Sequence, residues 1–443
     1  MAREYKDSGI EWIGQIPKEW KVCRLKNLGY LYGGLTGKSG DDFNVEEDDI
    51  SYMLYVPFTN IFNNDTINPN QLYKVKIESG EEQNLVNKGD LLFLMSSEDY
   101  DGVGKPAIME EQVDNLGLNS FCKGLRITNS NCISKYLFYL LSSHLHRELI
   151  RQEAKGFIRI NLRQDRLSCC PIFLPPLFEQ QKIADYLDKV CGEVDEMVAL
   201  QETMIEELKA YKQSVITEAV TKGLNPNVPM KDSGIDWIGE IPDGWKVKPL
   251  KWFLRKPLQY GANESGISFN ESLPRYVRIT DILNNTLRED LQKQSLTEKQ
   301  AAGYILEDND ILFARSGGTV GKAFIYKSKY GRCAFAGYLI RAQIDYNNYS
   351  DYIYYYTQSS AYEEWKRQIF IQATIQNIGA DRYSLLEIPL PPLSEQQGIA
   401  SYLDTKCSEI DSLIALKQAK IEELKEYKKS VIYEYVTGKK EVI

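Results

Sequence analysis

The chain has 443 residues, of which 43% are hydrophobic and 26% are charged, and its formal net charge is −9. This length exceeds one ordinary hydrophobic core and predicts several domains of a soluble globular protein. No apolar run approaches the roughly 18 residues of a transmembrane helix, which argues against a membrane protein. The cysteines lack metal-binding spacing, so we expect reduced thiols and a cytoplasmic location. The negative charge does not exclude a nucleic-acid partner, because a basic face can form locally on an acidic protein.

The chain begins with a block that returns in its second half. Residues 6–17 read Lys-Asp-Ser-Gly-Ile-Glu-Trp-Ile-Gly-Gln-Ile-Pro, and residues 231–242 repeat them almost unchanged. A second block, at residues 174–216, returns at residues 390–432. The segments between the blocks differ widely. Shared ends around different middles indicate one task performed twice and a second task performed in two different ways.

The blocks divide the chain into five predicted parts. These are a globular domain over 1–173, a long helix over 174–222, a linker over 223–230, a second globular domain over 231–389 and a second long helix over 390–437. Short β-like runs and an aromatic-rich helix in each middle segment predict an α/β (α+β) fold for the globular domains. The clearest of these elements are predicted strands at 91–95 and 311–314 and predicted helices at 136–143 and 352–359.

Each copy of the second block predicts a helix with a heptad seam. Apolar residues from Ile183 to Val215, including Met197 and Tyr211, recur at alternating spacings of four and three. A seam of this length needs a partner helix, and the other copy is the nearest one. We therefore expect an antiparallel coiled coil with an internal pseudo-twofold. The predicted packing residues are Ile183, Leu187, Val194, Leu208, Ile399, Leu403, Ile410 and Leu424.

The sequence contains no catalytic or metal-binding motif with the required spacing. The two histidines, His144 and His146, have no counterparts in the second half and are more typical of a surface than of a ligand pair. Residues 317–323 resemble a phosphate loop, but Ala323 stands where such a loop needs Ser or Thr. Zinc spacing and a nucleophile elbow are both missing. We therefore expect a binding protein that is not an enzyme and has no cofactor or metal of its own.

A basic stretch in the first half is the main candidate for nucleic-acid binding. Arg147 is the first of five basic residues spaced four apart, which line one helical face until Gly156 ends the helix. The alternative interpretation is an ordinary solvated face. The second half has amides at the matching place, and amides suit adenine edges whereas arginine suits guanine. The glycine-containing loops around Lys105 and Lys322 are a second candidate, against the alternative of ordinary turns. The predicted DNA contacts are Lys105, Arg151, Lys155, Arg159, Asn161, Arg163, Arg315, Lys322, Gln372, Thr374, Gln376 and Asn377.

Two repeated motifs give the chain a family resemblance. Lys-Asp-Ser-Gly-Ile-x-Trp-Ile-Gly-x-Ile-Pro-x-x-Trp stands at 6–20 and 231–245, and Leu-Pro-Pro-Leu-x-Glu-Gln-Gln-x-Ile-Ala-x-Tyr-Leu-Asp stands at 174–188 and 390–404. Over its whole length the chain resembles the specificity subunit of a type I restriction-modification system. The resemblance implies two target recognition domains, each of which reads one half of a bipartite site in double-stranded DNA.

The same resemblance implies partners. The long helices would set the gap between the half-sites and dock two modification subunits, which use S-adenosylmethionine to methylate adenine N6. Restriction subunits that use ATP and Mg would join them, and the specificity subunit itself would be non-catalytic. Two alternatives remain open at this point. One is a coiled-coil adaptor without DNA readout, and the other is a self-contained methyltransferase or nuclease.

Overall fold

The structure is a computed structural model that describes residues 3–10, 13–45, 51–283, 285–371 and 377–442. The chain forms two compact units. Unit 1 comprises residues 1–201 together with 419–443, and unit 2 comprises residues 202–418. Each unit therefore contains one mixed α/β domain and a segment of both long helices. Among the helices in these described ranges, none is long and apolar enough to cross a membrane. The five domain boundaries given above stay predictions.

The first mixed domain and the long helix that follows it contain thirteen strands and five α-helices within the described ranges. The strands are β1 (Tyr5–Asp7), β2 (Gln15–Pro17), β3 (Lys21–Arg24), β4 (Gly29–Gly33), β5 (Tyr52–Val56), β6 (Tyr73–Lys76), β7 (Leu91–Leu94), β8 (Ser96–Ser97), β9 (Pro106–Ile108), β10 (Leu116–Leu118), β11 (Cys122–Ile127), β12 (Ile160–Asn161) and β13 (Pro171–Leu174). The helices are α1 (Phe58–Asn63), α2 (Ser134–Ser142), α3 (His144–Glu153), α4 (Gln164–Ser168) and α5 (Leu177–Lys222).

The second half repeats this arrangement. Its strands are β14 (Met230–Asp232), β15 (Glu240–Pro242), β16 (Lys246–Pro249), β17 (Gln259–Tyr260), β18 (Ile267–Ser268), β19 (Arg275–Val277), β20 (Ile282–Leu283), β21 (Thr286–Leu287), β22 (Gln294–Ser295), β23 (Ile311–Ala314), β24 (Ala323–Ile325), β25 (Cys333–Phe335), β26 (Leu339–Ala342) and β27 (Glu387–Leu390). Its helices are α6 (Glu298–Ala301), α7 (Ser350–Tyr356), α8 (Ser360–Ile371), α9 (Ala380–Ser384) and α10 (Leu393–Val436).

A four-stranded antiparallel sheet is common to both units. Its order is β4-β11-β7-β9 in unit 1 and β17-β26-β23-β24 in unit 2. The pairs β3–β13 and β16–β27 also correspond and join the start of each domain to the strand before each long helix. The middle strands β7 and β23 are buried along their whole length, which explains their continuous apolar runs. The mixed α/β (α+β) fold predicted from the β-like runs and the aromatic-rich helices is confirmed.

The long helices α5 and α10 pair antiparallel within each unit. In unit 1 the rings of Tyr186 and Tyr435 lie 4.5 Å apart, and the ammonium of Lys428 lies 2.8 Å from Asp195. In unit 2 the equivalent ion pair has its lysine on α5 and its aspartate on α10, with Lys212 lying 2.7 Å from Asp411. As residue numbers increase along α5, the numbers of their partners on α10 decrease. The predicted antiparallel pairing is therefore confirmed.

Most predicted seam residues are buried, but some positions of the seam in α5 are exposed and their neighbours are buried instead. Ile183, Leu187, Val194, Ile399, Leu403, Ile410 and Leu424 are buried, and Leu208 is half-buried. Met197 and Tyr211 were predicted seam residues, but they are exposed, while Cys191, Ile205 and Ile216 are buried instead. A straight helix turns every 3.6 residues, so a strict 3.5-residue pattern moves off the contact face along its length.

The two repeated blocks contact each other inside each unit. The indole of Trp20 donates a 3.0 Å hydrogen bond to Glu179, and that of Trp245 donates an equal bond to Glu395. The fully buried Gln180 and Gln396 follow these glutamates and bond to backbone groups of the mixed domain. The repeated sequence is thus explained by the junction between each mixed domain and its long helix.

The two histidines were predicted to lie on the surface, and only one of them does. His144 is exposed, but His146 is fully buried, and its Nε2 lies 2.9 Å from the carbonyl oxygen of Pro171. Burial lowers the pKa of His146 to about 4 because the charged ring would be desolvated. The surface prediction was wrong for His146, whose role is packing at the end of the first domain.

Candidate nucleic-acid interface

Two loops in each unit contain the residues singled out for DNA contact. We call residues 96–105 of unit 1 and 315–322 of unit 2 loop A. We call residues 154–163 of unit 1 and 372–379 of unit 2 loop B. In unit 2, Gln372, Thr374 and Gln376 lie outside the described residues, so only the end of that loop B is described.

Loops A and B lie side by side, and the same joint connects them in both units. In unit 1, Asn161 of β12 pairs with Ser96 of β8, and the amide of Leu162 donates to the carbonyl oxygen of Met95 over 2.9 Å. In unit 2, Asn377 bridges Ser316, and the amide next to Asn377 donates to the Arg315 carbonyl oxygen, again over 2.9 Å. Two regions distant in sequence therefore form one surface in each unit.

The basic stretch divides into two parts with different surroundings. Helix α3 carries only its first two members, Arg147 and Arg151. The buried Arg147 donates to the carbonyl oxygens of Asp101 and Val103 over 2.7 and 2.9 Å. Burial lowers its pKa to about 10. Arg151 donates to the Tyr100 carbonyl oxygen over 3.1 Å and pairs with two carboxylates. Both arginines hold loop A of unit 1 in place.

Lys105 performs a similar local task at the other end of that loop. Its ammonium donates to the carbonyl oxygens of Phe62 and Asn64 over 2.7 and 3.2 Å, and it lies 3.6 Å from Asp65. Burial lowers the pKa of Lys105 because the charged ammonium is partly desolvated. These contacts fasten loop A to the end of α1. The prediction that Lys105 contacts DNA stays a prediction.

The second part of the basic stretch forms an exposed hairpin, loop B of unit 1. Lys155 and Asn161 exchange backbone hydrogen bonds of 3.0 and 2.9 Å, which close the hairpin. Gly156 has φ of +155°, and a Cβ atom there would lie 1.9 Å from the Arg159 carbonyl oxygen, so only glycine fits. Lys155, Arg159, Asn161 and Arg163 all have exposed side chains. Arg163 also forms a two-pronged pair with Asp165, at 3.0 and 3.2 Å.

At the paired loops of each unit, one of the predicted DNA-contact arginines lies over an aromatic ring. The guanidinium of Arg159 lies 5.0 Å from the ring centre of Phe121, and that of Arg315 lies 5.0 Å from that of Tyr260. A guanidinium over a ring is favoured by a cation–π interaction, and its nitrogens can still donate hydrogen bonds to a ligand. Neither ring was predicted from the sequence, because the two rings do not occupy matching positions in the repeat and no motif marks them.

Two buried tyrosines donate hydrogen bonds to backbone carbonyl oxygens at the two ends of loop A of unit 2. Tyr362 donates to the Gly321 carbonyl oxygen over 2.6 Å, and Tyr383 donates to that of Ala314 over 3.0 Å. Gly321 has φ of +82°, and a Cβ atom there would lie 2.3 Å from the side chain of Lys366. Arg315 is half-buried, whereas Lys322 and Asn377 are exposed. The two units thus use different side chains to support the same joint.

The paired loops present the groups that DNA recognition requires. Exposed Lys and Arg side chains suit phosphates, a fixed guanidinium suits the O6 and N7 atoms of guanine, and an exposed asparagine suits the N6 and N7 atoms of adenine. Within the described ranges, no group of three or more His, Cys, Asp and Glu side chains is placed to hold a metal ion. The predicted DNA contacts remain predictions, but the joint brings most of the described ones into two clusters.

Comparison with known proteins identifies relatives along nearly the whole chain. A provisionally named type I restriction enzyme specificity subunit, MjaX of Methanocaldococcus jannaschii, is 28% identical and covers 99% of this chain and 98% of its own length. The EcoKI specificity subunit of Escherichia coli is 24% identical, over 91% of this chain and 86% of its own.

Solved structures share the fold. A chain from a type I restriction-modification system superimposes with a TM-score of 0.72 at 17% identity, over 96% of this chain and 99% of that one. The HsdS subunit of Thermoanaerobacter tengcongensis gives a TM-score of 0.50 at 17% identity, over 96% and 98% of the two chains. The model of the type I restriction modification DNA specificity domain matches residues 17–210 and again residues 243–426. With two copies of that domain spanning most of its length, the chain belongs to the family of type I restriction-modification DNA specificity subunits, the non-catalytic DNA-recognition components of their complexes.

Proposed function

We propose that each unit reads one half of a bipartite site in double-stranded DNA through its loops A and B. The observation that supports this most is the shared joint between the loops, Asn161 with Ser96 in unit 1 and Asn377 with Ser316 in unit 2. The joint is the same, but the side chains around it differ. A constant frame with different exposed side chains suits two readers of two different half-sites.

The proposal assigns different tasks to the exposed side chains. Lys155, Arg163 and Lys322 supply positive charge for phosphates, which positions the protein without reading sequence. Arg159 and Arg315 each lie over an aromatic ring and are assigned to base edges. The asparagines at the joint supply amide groups for adenine.

The long helices are proposed to set the spacing between the half-sites and to dock two modification subunits. Their surfaces carry large apolar residues that are exposed at equivalent positions of both copies, Met197 with Leu413 and Leu200 with Leu416. Exposed apolar clusters of this kind mark protein contacts. S-adenosylmethionine would be bound by the modification subunits, and ATP and Mg by restriction subunits that join them. The complex would act in the cytoplasm, where chromosomal DNA is accessible.

Single-molecule methylome sequencing of cells with and without the chain tests this function. We expect a bipartite motif with N6-methyladenine in cells that contain the chain and the modification subunits, and its loss when the chain is removed. A coiled-coil adaptor without DNA readout would leave the methylome unchanged. Methylation or cleavage of DNA by the purified chain alone would contradict the assignment to a non-catalytic subunit.

Shortening both helices together should change the spacer of the motif. Deleting residues 198–204 and the opposing residues 418–424 removes one heptad from each helix, or about 10 Å of length. We expect the gap between the half-sites to shorten by about three base pairs, since base pairs rise about 3.4 Å each. A variant in which the exposed residues Glu202, Lys420 and Glu422 of these segments are changed to alanine keeps the length and should keep the spacer. The methylome motif measures both, and an unchanged gap in the deletion would contradict the proposed spacing role.

A further inference from the structure

Two apolar side chains at the tip of loop B of unit 1 have no packing partner to match their size. Phe157 is 102% exposed and Ile158 is 86% exposed, more than any other large hydrophobic residue in the described ranges. Covering large apolar side chains is favourable, so a fully exposed adjacent pair indicates a surface that a partner covers.

The hairpin presents this tip in a defined direction. The backbone bonds between Lys155 and Asn161 close it, and the glycine at 156 permits a conformation that any other residue would strain. At its base, β12 pairs with β8 of loop A, whose neighbouring segment is held by the buried Arg147. The exposed pair therefore lies at the tip of a hairpin that is closed by backbone hydrogen bonds and held at its base by the joint between loops A and B.

Charge indicates which partner covers the tip. Loop B of unit 1, residues 154–163, contains Lys155, Arg159 and Arg163 and no acidic residue, although the chain as a whole has a net charge of −9. The neighbouring loop A carries Glu98, Asp99 and Asp101, so the reversal of sign is confined to the hairpin itself. A basic hairpin with an apolar tip fits a polyanion that also offers apolar surface. Duplex DNA has both, with phosphates along the groove edges and base faces inside the stack.

Resting on the proposed function, we propose that Phe157 and Ile158 enter a groove of the half-site read by unit 1 and insert between two adjacent base pairs. Lys155 and Arg159 then lie beside the flanking phosphates. Apolar wedges of this kind partly unstack one step and bend the duplex. Pyrimidine–purine steps unstack most easily, so the wedge gives unit 1 a preference at a step whose base edges it does not need to contact.

The test uses the full chain in complex with its modification subunits and duplexes that carry the motif found by methylome sequencing. 2-Aminopurine, which fluoresces more strongly when it is unstacked, is placed at successive positions of both half-sites. The variant is F157S/I158S, and the matched control is F178S, an exposed phenylalanine outside both loops. The modification subunits are expected to flip the target adenines of both half-sites, which raises the signal at those two positions in every variant. Beyond these positions, we expect a fluorescence rise at one step of one half-site with the wild type and with F178S. The double variant should lose this rise and bind at least about tenfold more weakly.

The outcomes separate the wedge from the proposed function. Equal affinity and an equal fluorescence rise in F157S/I158S overturn the wedge alone, as does a wild type that binds specifically without unstacking any step. A double variant that keeps its DNA contacts but loses the modification subunits also overturns it, since the tip would then contact protein. If the wild-type complex shows no sequence dependence at all, the proposed function fails and the wedge fails with it.

Discussion

The Gln180→Leu variant is expected to lower the free energy of local opening of unit 1 by about 2–4 kcal/mol. The buried Gln180 accepts a hydrogen bond from the Ile133 amide and donates to the carbonyl oxygens of Asn131 and Pro175, all over 2.8 Å. Leucine fills a similar volume but leaves these backbone groups unpaired, and each buried unpaired group costs about 1–3 kcal/mol. The large effect comes from one side chain that joins the long helix to the mixed domain.

Hydrogen exchange measured by mass spectrometry gives this free energy separately for the two units. The matched control is Gln181→Leu, because Gln181 is exposed and bonds only to Asp185 among the described residues, so its loss should cost less than about 0.5 kcal/mol. Gln396→Leu should reproduce the effect in unit 2. Similar exchange rates in the Gln180 and Gln181 variants would show that the bonds to the backbone are not what holds this junction.

The Asn377→Ala variant should relax base preference in one half-site only. The exposed Asn377 lies at the joint of unit 2, and the loss of a two-pronged amide contact to adenine should cost about 1–3 kcal/mol at one position. Selection from a randomised duplex pool by the complex with modification subunits measures the preference at every position of both half-sites.

The repeat supplies the control for this prediction. Asn161 occupies the equivalent place in unit 1, so Asn161→Ala should relax the other half-site and leave the first unchanged. If either variant weakens binding to all sequences equally, the asparagine positions the backbone and does not specify a base. A change in both half-sites from one substitution would contradict the assignment of one half-site to each unit.

Much of the fold could be predicted because it is written in local patterns. The prolines at 175–176 and 391–392 mark the starts of α5 and α10 at residues 177 and 393, close to the predicted positions. The apolar runs of β7 and β23 predicted the ends of those strands to within one residue. The heptad seam was less reliable, since the drift of a straight helix over 46 residues cannot be placed from the pattern alone.

The candidate site was predictable in its residues but not in their roles. Spacing of four suggested one basic helical face, but α3 ends at Glu153, and tertiary contacts divide the stretch into buried supports and an exposed hairpin. No local sequence pattern distinguishes the two arginines. Arg147 is buried and donates to carbonyl oxygens, whereas Arg159 is exposed and lies over an aromatic ring. The meeting of loops A and B depends on strand pairing between residues more than 60 positions apart, which no motif records.

The composition of the two units has a consequence for the order in which they mature on the ribosome. Unit 2 is one continuous stretch, residues 202–418, whereas unit 1 is completed only by residues 419–443. Tyr136, in the core of unit 1, lies within 3.4 Å of the Val436 carbonyl oxygen, and Tyr5 donates to that of Gly438. Domains usually fold in the order of their synthesis. All of unit 2 is therefore synthesised before the segment that completes unit 1, so the contacts of Tyr5 and Tyr136 with that segment can form only after the residues of unit 2 have been made.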